Sequence, residues 1–471
     1  MWTTMRAAAL ALGALLMLAA SCASNTPTLP PGDVTILTGP KFWTGVPERP
    51  WADAVAVKQG RVVALLEAGD AARFAGQGVE VRRLSGRLAT PGLVDAHAHI
   101  HGFGALEQQA DLLGAQSLDE ALARVSRFAD RHGSDGWVLG RGWDQNDWPG
   151  GGWPTADDLE RAVPGRPCAL SRIDGHALWV NRTALERAGI GPRTPDPPGG
   201  RILRDGSGVA TGILIDDADQ LVREHIPEPT DGQIEQALEL AAHDLMAVGL
   251  TGVHDMGMEQ RVWDAMVRLA KQGRFPLRVH AYAVAGDPLA ERVLAEGPLK
   301  EGRLQVVGVK VWADGALGSR GARLLEPYDD EPETRGVWVT RPEEMERTVR
   351  RTADAGLQPA VHAIGDAANR AVLDLYERVY RGRDTPPRPA RLEHAQILTP
   401  EDLPRLASLG VVASMQPTHA TSDMPWVARR LGQARLGGGY AWRTLLEDGA
   451  ILAFGSDFPV ESSDPRKGLY A

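Results

Sequence analysis

Apolar and polar positions along the chain fall into two regimes. Between Val34 and about Thr90 the apolar runs are short and strand-like: Val34-Thr35-Ile36-Leu37, Ala54-Val55-Ala56-Val57 and Arg61-Val62-Val63-Ala64-Leu65. Turn material, including Gln59-Gly60, separates them and predicts a small β-sandwich-like domain over 33–90. Beyond Thr90, apolar runs alternate with segments of helical period. Leu93–His97, Gly252–Met256, Leu277–Tyr282, Val306–Val311, Gln358–His362, Arg391–His394, Val411–Met415 and Ile451–Gly455 read as strands. Val222–Ala247, Glu259–Gln272, Pro342–Ala355 and Ala367–Val379 read as amphipathic helices. Eight βα-like units over 91–471 predict an α/β fold, a (β/α)8 TIM-type barrel, with an open doubly wound sheet as the alternative.

The stretch 102–249 is too long for one barrel loop and reads as an insertion between barrel strands 1 and 2. It holds a helix near Leu118–Arg131, apolar runs at Trp137–Gly140 and Cys168–Ile173, and a turn-rich block from Trp143 to Trp153. That block is poor material for a repeating core. The insertion is therefore expected to stand over the barrel mouth, with Trp143, Asp144, Trp148, Trp153 and Trp179 shaping a pocket. Arg172 is read either as a holder of a substrate carboxylate or as half of a structural salt bridge. A dinucleotide or phosphate fingerprint is absent, because Gly140-Arg141-Gly142 lacks the rest of that pattern.

An apolar fraction of 43% with 24% charged residues excludes full-length disorder. Acids outnumber bases for a net charge of −10, and the arginines are scattered, which removes nucleic acid as a partner. The N-terminus reads as an export signal over 1–21, with Arg6 ahead of the uncharged run Ala7–Ala20. Fourteen helical residues reach about 21 Å, short of a hydrocarbon core of about 30 Å. Leu18-Ala19-Ala20-Ser21-Cys22 resembles the lipobox of bacterial lipoproteins. That resemblance implies a lipid on Cys22, a tether over 22–32 and a membrane-anchored lipoprotein, the alternative being a periplasmic or secreted protein. Cys168, the other cysteine, is expected to be a buried structural thiol.

His97-Ala98-His99 closes an apolar strand, and residues i and i+2 of a strand point to one face. His362, His394 and Asp457 end three other predicted strands, and barrel active sites sit at the C-terminal strand ends. Imidazoles with a carboxylate suit zinc or a similar divalent metal. Lys310 ends another apolar run. As an ammonium it offers no lone pair, which leaves two readings: a carbamate formed with CO₂ (N6-carboxylysine) that ligates metal, or a lysine paired with Glu393 or Asp314.

The stretches PGLVDAHAHIHG, GRGWDQNDWPGG, RIDGHALWVN, GVKVWADGALGSRGA, VHAIGDAANR, RLEHAQ and GSDFPVES resemble the amidohydrolase superfamily, in its YtcJ-like or amidohydrolase-3 branch with the N-substituted formamide deformylases. The resemblance implies His97 and His99 as ligands of one metal, Lys310 as a bridging carbamate, and His362 and His394 as ligands of a second. It implies Asp457 as a ligand and proton shuttle, and His176 as a polariser of the substrate carbonyl. One or two ions remain open. Members of the family continue beyond the point that corresponds to Ala471, so a C-terminal completion of the barrel and of the small β domain is expected to be missing here.

The reaction expected is hydrolysis of a carbon–nitrogen bond, other than a peptide bond, in a small amide-like molecule. Asp457 would take the proton of the attacking water and pass it to the leaving nitrogen. Ester or lactone hydrolysis, isomerisation on the same site, and a non-catalytic metal- or solute-binding lipoprotein stand as alternatives. His419, in Gln416-Pro417-Thr418-His419 and followed by Asp423, either binds substrate or steadies a loop. The oligomeric state is not legible.

Overall fold

Short runs of β-branched and aliphatic residues, each ended by a polar or glycine-containing segment, form the strands of this chain. The computed structural model describes residues 29–30, 32–75, 78–131, 136–173, 175, 177–197, 200–381 and 388–471. Two compact units result, one ending at Leu93 and the other running from Val94.

In the first unit, strands Thr35–Trp43, Trp51–Lys58 and Arg61–Leu66 pair antiparallel in sequence order. The turn at Gln59-Gly60 has positive φ at both residues, the twist that a tight hairpin needs. Glu80–Arg83 and Leu88–Ala89 add parallel to the first strand, and Val34, Ile36, Ala54, Ala56 and Leu66 are buried between sheet and loops.

The second unit is built on eight strands: β1 (Leu93–Ala98), β2 (Leu250–Met258), β3 (Arg278–Val284), β4 (Leu304–Trp312), β5 (Gln358–Ala363), β6 (Arg391–His394), β7 (Val412–Met415) and β8 (Ile451–Phe454). They follow one another in the sheet in chain order, each beside the next. β8 returns to β1, where Asp457 N donates to His97 O at 2.8 Å and His99 N donates to Phe458 O at 2.9 Å. Only glycine fits at 455, since a Cβ there would lie 2.4 Å from His97 N. This approach of the last strand to the first makes the sheet a TIM-type barrel and excludes the open doubly wound alternative.

Helices Gln260–Lys271, Pro342–Asp354 and Asp366–Tyr380 match the predicted segments closely. The segment expected as one helix over Val222–Ala247 is two, Gln220–Arg223 and Asp231–Ala247. Pro227 and Pro229 interrupt it, and Thr230 with Gln233 restarts it through a reciprocal capping box.

The insertion carries its own six-stranded sheet, in the order Gly200–Arg204, Ala210–Asp216, Ala177–Val180, Cys168–Arg172, Val138–Trp143, Ala110–Asp111. Cys168 is a free, buried thiol in that core, as expected. One expectation is corrected: against a membrane-anchored lipoprotein, no helix among the described residues is long and apolar enough to cross a membrane. The export signal, Cys22 and most of the tether fall outside the described residues.

Candidate metal centre

The strand ends bring the polar residues of the sequence to one rim. His97 sits on β1 and is 1% exposed, while His99 follows the strand and precedes helix Ile100–Leu106. Asp255 of β2 caps that helix by accepting from Ile100 N at 2.9 Å, and Gly257 leaves room for the His99 ring. Asp95 accepts from His97 N at 3.0 Å and from Ser456 Oγ at 2.7 Å, which ties the β1 ligand segment to the one after β8. Asp457 Oδ1 lies 3.2 Å from His99 Nε2 and 3.4 Å from His97 Nε2. These three side chains form one group whose ligand atoms all lie within 4.8 Å of one another.

Asp457 also belongs to a second such group, with His394 and His419. His394 ends β6, and its Nδ1 is 2.8 Å from Gln416 Oε1. Its ring centroid is 4.8 Å from that of His97, 4.5 Å from His362 and 6.0 Å from the stacked ring of His419. His394 and Asp457 both have positive φ, a strained backbone for residues with a Cβ and one often found at functional sites. His362 ends β5 against the same ring cluster, with Nε2 3.5 Å from Asp314 Oδ1.

Burial sets the protonation of the cluster. It pushes His97 down to about 4, aided by the charge of Lys310, and His362 down to about 3. His394 is held well below the usual histidine value by the same cause. All three are therefore neutral near pH 7, with lone pairs available to a metal. Burial pushes the Asp457 carboxyl up, but His97, His99 and His394 outweigh it and hold it well below the usual carboxylate range.

Lys310 is fully buried on β4, and burial brings it down to about 8. Its Nζ is 3.4 Å from His97 Nε2 and 5.3 Å from the Trp312 ring centroid. Glu393 is engaged by Arg391 and His97, and Asp314 accepts backbone N–H groups of Ile364, Gly365 and Arg323. Neither carboxylate forms the ion pair with Lys310 that was one of its two readings.

These residues fit a divalent metal. His362 Nε2, His419 Nε2 and Asp457 Oδ1 are buried without a hydrogen-bond partner. Leaving three such atoms unpaired at one spot would cost several kcal/mol in total unless something binds them. Imidazole nitrogens with a carboxylate are the donor set of zinc and similar ions, and the two groups provide for one or two of them. A cavity of about 410 Å³ opens over the cluster, lined by His97, His99, Lys310, His362, His394, His419 and Asp457 at its base.

Other expected site residues lie elsewhere. Trp143, Trp148 and Trp179 are buried and pack edge to face in the core of the insertion, with Trp153 at its margin. Their indole N–H groups bond to the backbone at Leu170, Ala115 and Thr155. Arg172 pairs with Asp144 at 2.5 Å and bonds Gln145, which is the structural salt bridge of its two readings. None of these lines the cavity, so the expected pocket role of these tryptophans is corrected: large apolar surface found its partners inside the insertion. His176 falls outside the described residues.

Sequence reasoning named Glu393 only as a partner for Lys310 and missed Arg391, the two supports of His97. Arg391 and Glu393, two apart on β6, both point into the barrel interior. Arg391 Nε donates to Glu393 Oε1 at 2.7 Å, and Glu393 Oε2 is 2.7 Å from His97 Nδ1. The signal was present as two charges in alternation on a strand otherwise buried on both faces.

Residues 80–471 match the Amidohydrolase family. The chain is 37% identical over 399 residues to the YtcJ protein of Bacillus subtilis (strain 168), covering 82% of this chain and 73% of that one. It is 27% identical over 441 residues to the N-substituted formamide deformylase of Arthrobacter pascens, across 89% of this chain and 79% of the other. An uncharacterized metal-dependent hydrolase from Pyrococcus horikoshii OT3 superposes with a TM-score of 0.78 at 28% identity, over 93% of this chain and 85% of that one. A match reaching from the small sheet through every strand of the barrel, with such close sequence kin, makes this chain a member of the amidohydrolase family, in the branch that holds YtcJ.

Proposed function

We propose that the chain is a metal-dependent hydrolase that cleaves a carbon–nitrogen bond, other than a peptide bond, in a small amide-like substrate. The observation that carries this reading is the convergence of His362 Nε2, His419 Nε2 and Asp457 Oδ1, buried and unpaired, at the base of one cavity. The deformylase relative makes N-substituted formamides the first compounds to assay.

In this reading His97, His99 and Asp457 hold one ion, and His394, with His419 or His362, holds a second where two are present. A divalent ion there supplies Lewis acidity, which polarises a carbonyl and acidifies water. Asp457 takes the proton of the attacking water on its carboxylate and returns it to the departing nitrogen. The Arg391–Glu393 pair fixes His97 as the Nδ1–H tautomer, so that Nε2 keeps its lone pair toward the cavity. Lys310, buried and ion-paired with neither Glu393 nor Asp314, is read as a carbamate: its neutral amine adds to CO₂, a C–N bond forms, and one proton leaves. A ¹³C carbonyl resonance after equilibration with ¹³C-bicarbonate, absent in Lys310→Ala, tests that step.

The test of the function is metal analysis of the purified protein, followed by a panel of N-substituted formamides, other amides, esters and lactones, with chelator and with zinc restored. Zinc-dependent release of amine and formate supports the reading. A metal-replete protein that hydrolyses no amide in the panel overturns it.

A further inference from the structure

Above the ligand cluster the cavity wall changes character. Trp312, Leu317, Ile364 and Trp426 give it apolar and aromatic surface, and two acids, Asp423 and Glu461, stand on it. Asp423 ends helix Pro417–Asp423, and its Oδ2 accepts from Gln396 Nε2 at 2.8 Å and from the Tyr440 hydroxyl. Glu461 Oε1 accepts from Ser422 Oγ at 2.6 Å, so the two carboxylates are carried on neighbouring side chains of one wall. Asp423 Oδ1 and Glu461 Oε2 have no partner among the described residues. Burial pushes the Asp423 carboxyl up, opposed by the Tyr440 and Gln396 hydrogen bonds and by the charge of His419, with Glu461 adding to the rise.

No lysine or arginine among the described residues pairs with either acid. The one lysine of the lining, Lys310, lies buried at the base beside His97, and the imidazoles of the lining belong to the ligand cluster, His419 being the one whose charge reaches Asp423. Arg430, stacked on Trp426 at 5.6 Å, is spent on Asp330 and on Gly318 O at 3.1 Å. That the cavity takes a ligand at all is marked independently by the buried, unpaired Asp457 Oδ1 and His362 Nε2 aimed into it.

We infer that the substrate carries a cationic nitrogen on its N-substituent, held by Asp423 and Glu461 against the aromatic wall while the scissile carbonyl lies at the ligand cluster. The inference rests on the hydrolase reading above and names its substrate class: an N-acylated amine bearing a second, protonated or quaternary nitrogen. Two partly exposed carboxylates at contact distance favour such a cation over a neutral group of the same shape by about tenfold. An anionic substituent is disfavoured by the same field.

The experiment uses zinc-loaded protein and three formamides of equal reach, ending in trimethylammonium, tert-butyl and carboxylate. The expected result is a kcat/KM about tenfold higher for the cation than for its neutral isostere, lowest for the anion, with the difference in KM. The double variant Asp423→Asn with Glu461→Gln brings the cation down toward the neutral compound, and added salt narrows the gap in wild type. Cation and isostere processed within about twofold of each other, or a preference unchanged in the double variant, overturns the inference while the hydrolase reading stands. If nothing in the panel is cleaved, the hydrolase reading fails. Calorimetric binding of the same three compounds then decides the inference, and equal affinities for the isosteric pair overturn it.

Discussion

Glu393 Oε2 meets His97 Nδ1 at 2.7 Å with both side chains shielded from solvent. Arg391 neutralises Glu393 from the other side and holds it well below the usual carboxylate range despite its burial. The carboxylate is thus fixed as an acceptor, and His97 as a donor through Nδ1. Replacing Glu393 by Gln keeps the shape and loses the charge. Zinc affinity, measured by competition with a chromophoric chelator, is expected to fall by about 10- to 100-fold. The melting temperature should fall too, because Arg391 is left buried without its counter-charge. An unchanged zinc affinity would remove the tautomer-fixing role.

Asp457→Asn separates proton transfer from ligation. The amide keeps a carbonyl oxygen near His99 but has no basic site, so kcat should drop by about 100-fold or more when compared at equal metal occupancy. Circular dichroism and metal content establish that the variant is folded and loaded. A kcat within about twofold of wild type would take the shuttle role away from Asp457.

The strands and most of the ligand cluster were legible because each is a local pattern. An apolar run ending in His or Asp says in a few residues both what it is and where on a barrel it lies. His419 was legible only as a polar residue after β7, since its stacking on His394 is set by the turn into helix Pro417–Asp423. The sheet of the insertion was not legible, because its strands are short and pair across loops. The Pro227 and Pro229 break was readable and needed only the rule that proline ends a helix. Trp143 shows the deeper limit: composition cannot tell an indole that packs a core from one that walls a pocket.

That distinction is itself testable. Trp143 is fully buried, donates to Leu170 O at 2.8 Å and packs on Trp148 and Trp179. Trp143→Ala should destabilise the protein by about 3–5 kcal/mol, seen as a lower urea midpoint. Trp143→Phe should destabilise less and leave KM for a formamide substrate within about twofold. A large rise in KM with stability intact would return Trp143 to the substrate site.

His254 offers a pH test away from the ligands. It lies on β2 with Nδ1 2.7 Å from Arg391 Nη1 and Nε2 3.2 Å from His280 Nδ1. Burial pushes it down to about 3, with the charges of Arg391, His280 and Arg388 adding to the effect and Glu393 opposing it. The folded-state value lies below that of the unfolded chain, so on acidification the unfolded chain takes up the proton first. Its contribution is fully present above pH 6.5 and is lost as the pH falls toward the folded value. One unit of that interval is worth about 1.4 kcal/mol, so lowering the pH from 7 to 5 removes about 2 kcal/mol through this group alone. Asn at 254 keeps an acceptor for Arg391 and does not titrate. Urea unfolding of metal-free wild type and His254→Asn at both pH values should therefore show a loss smaller in the variant by about that amount. Equal losses in the two proteins would mean that His254 is not held neutral by its surroundings.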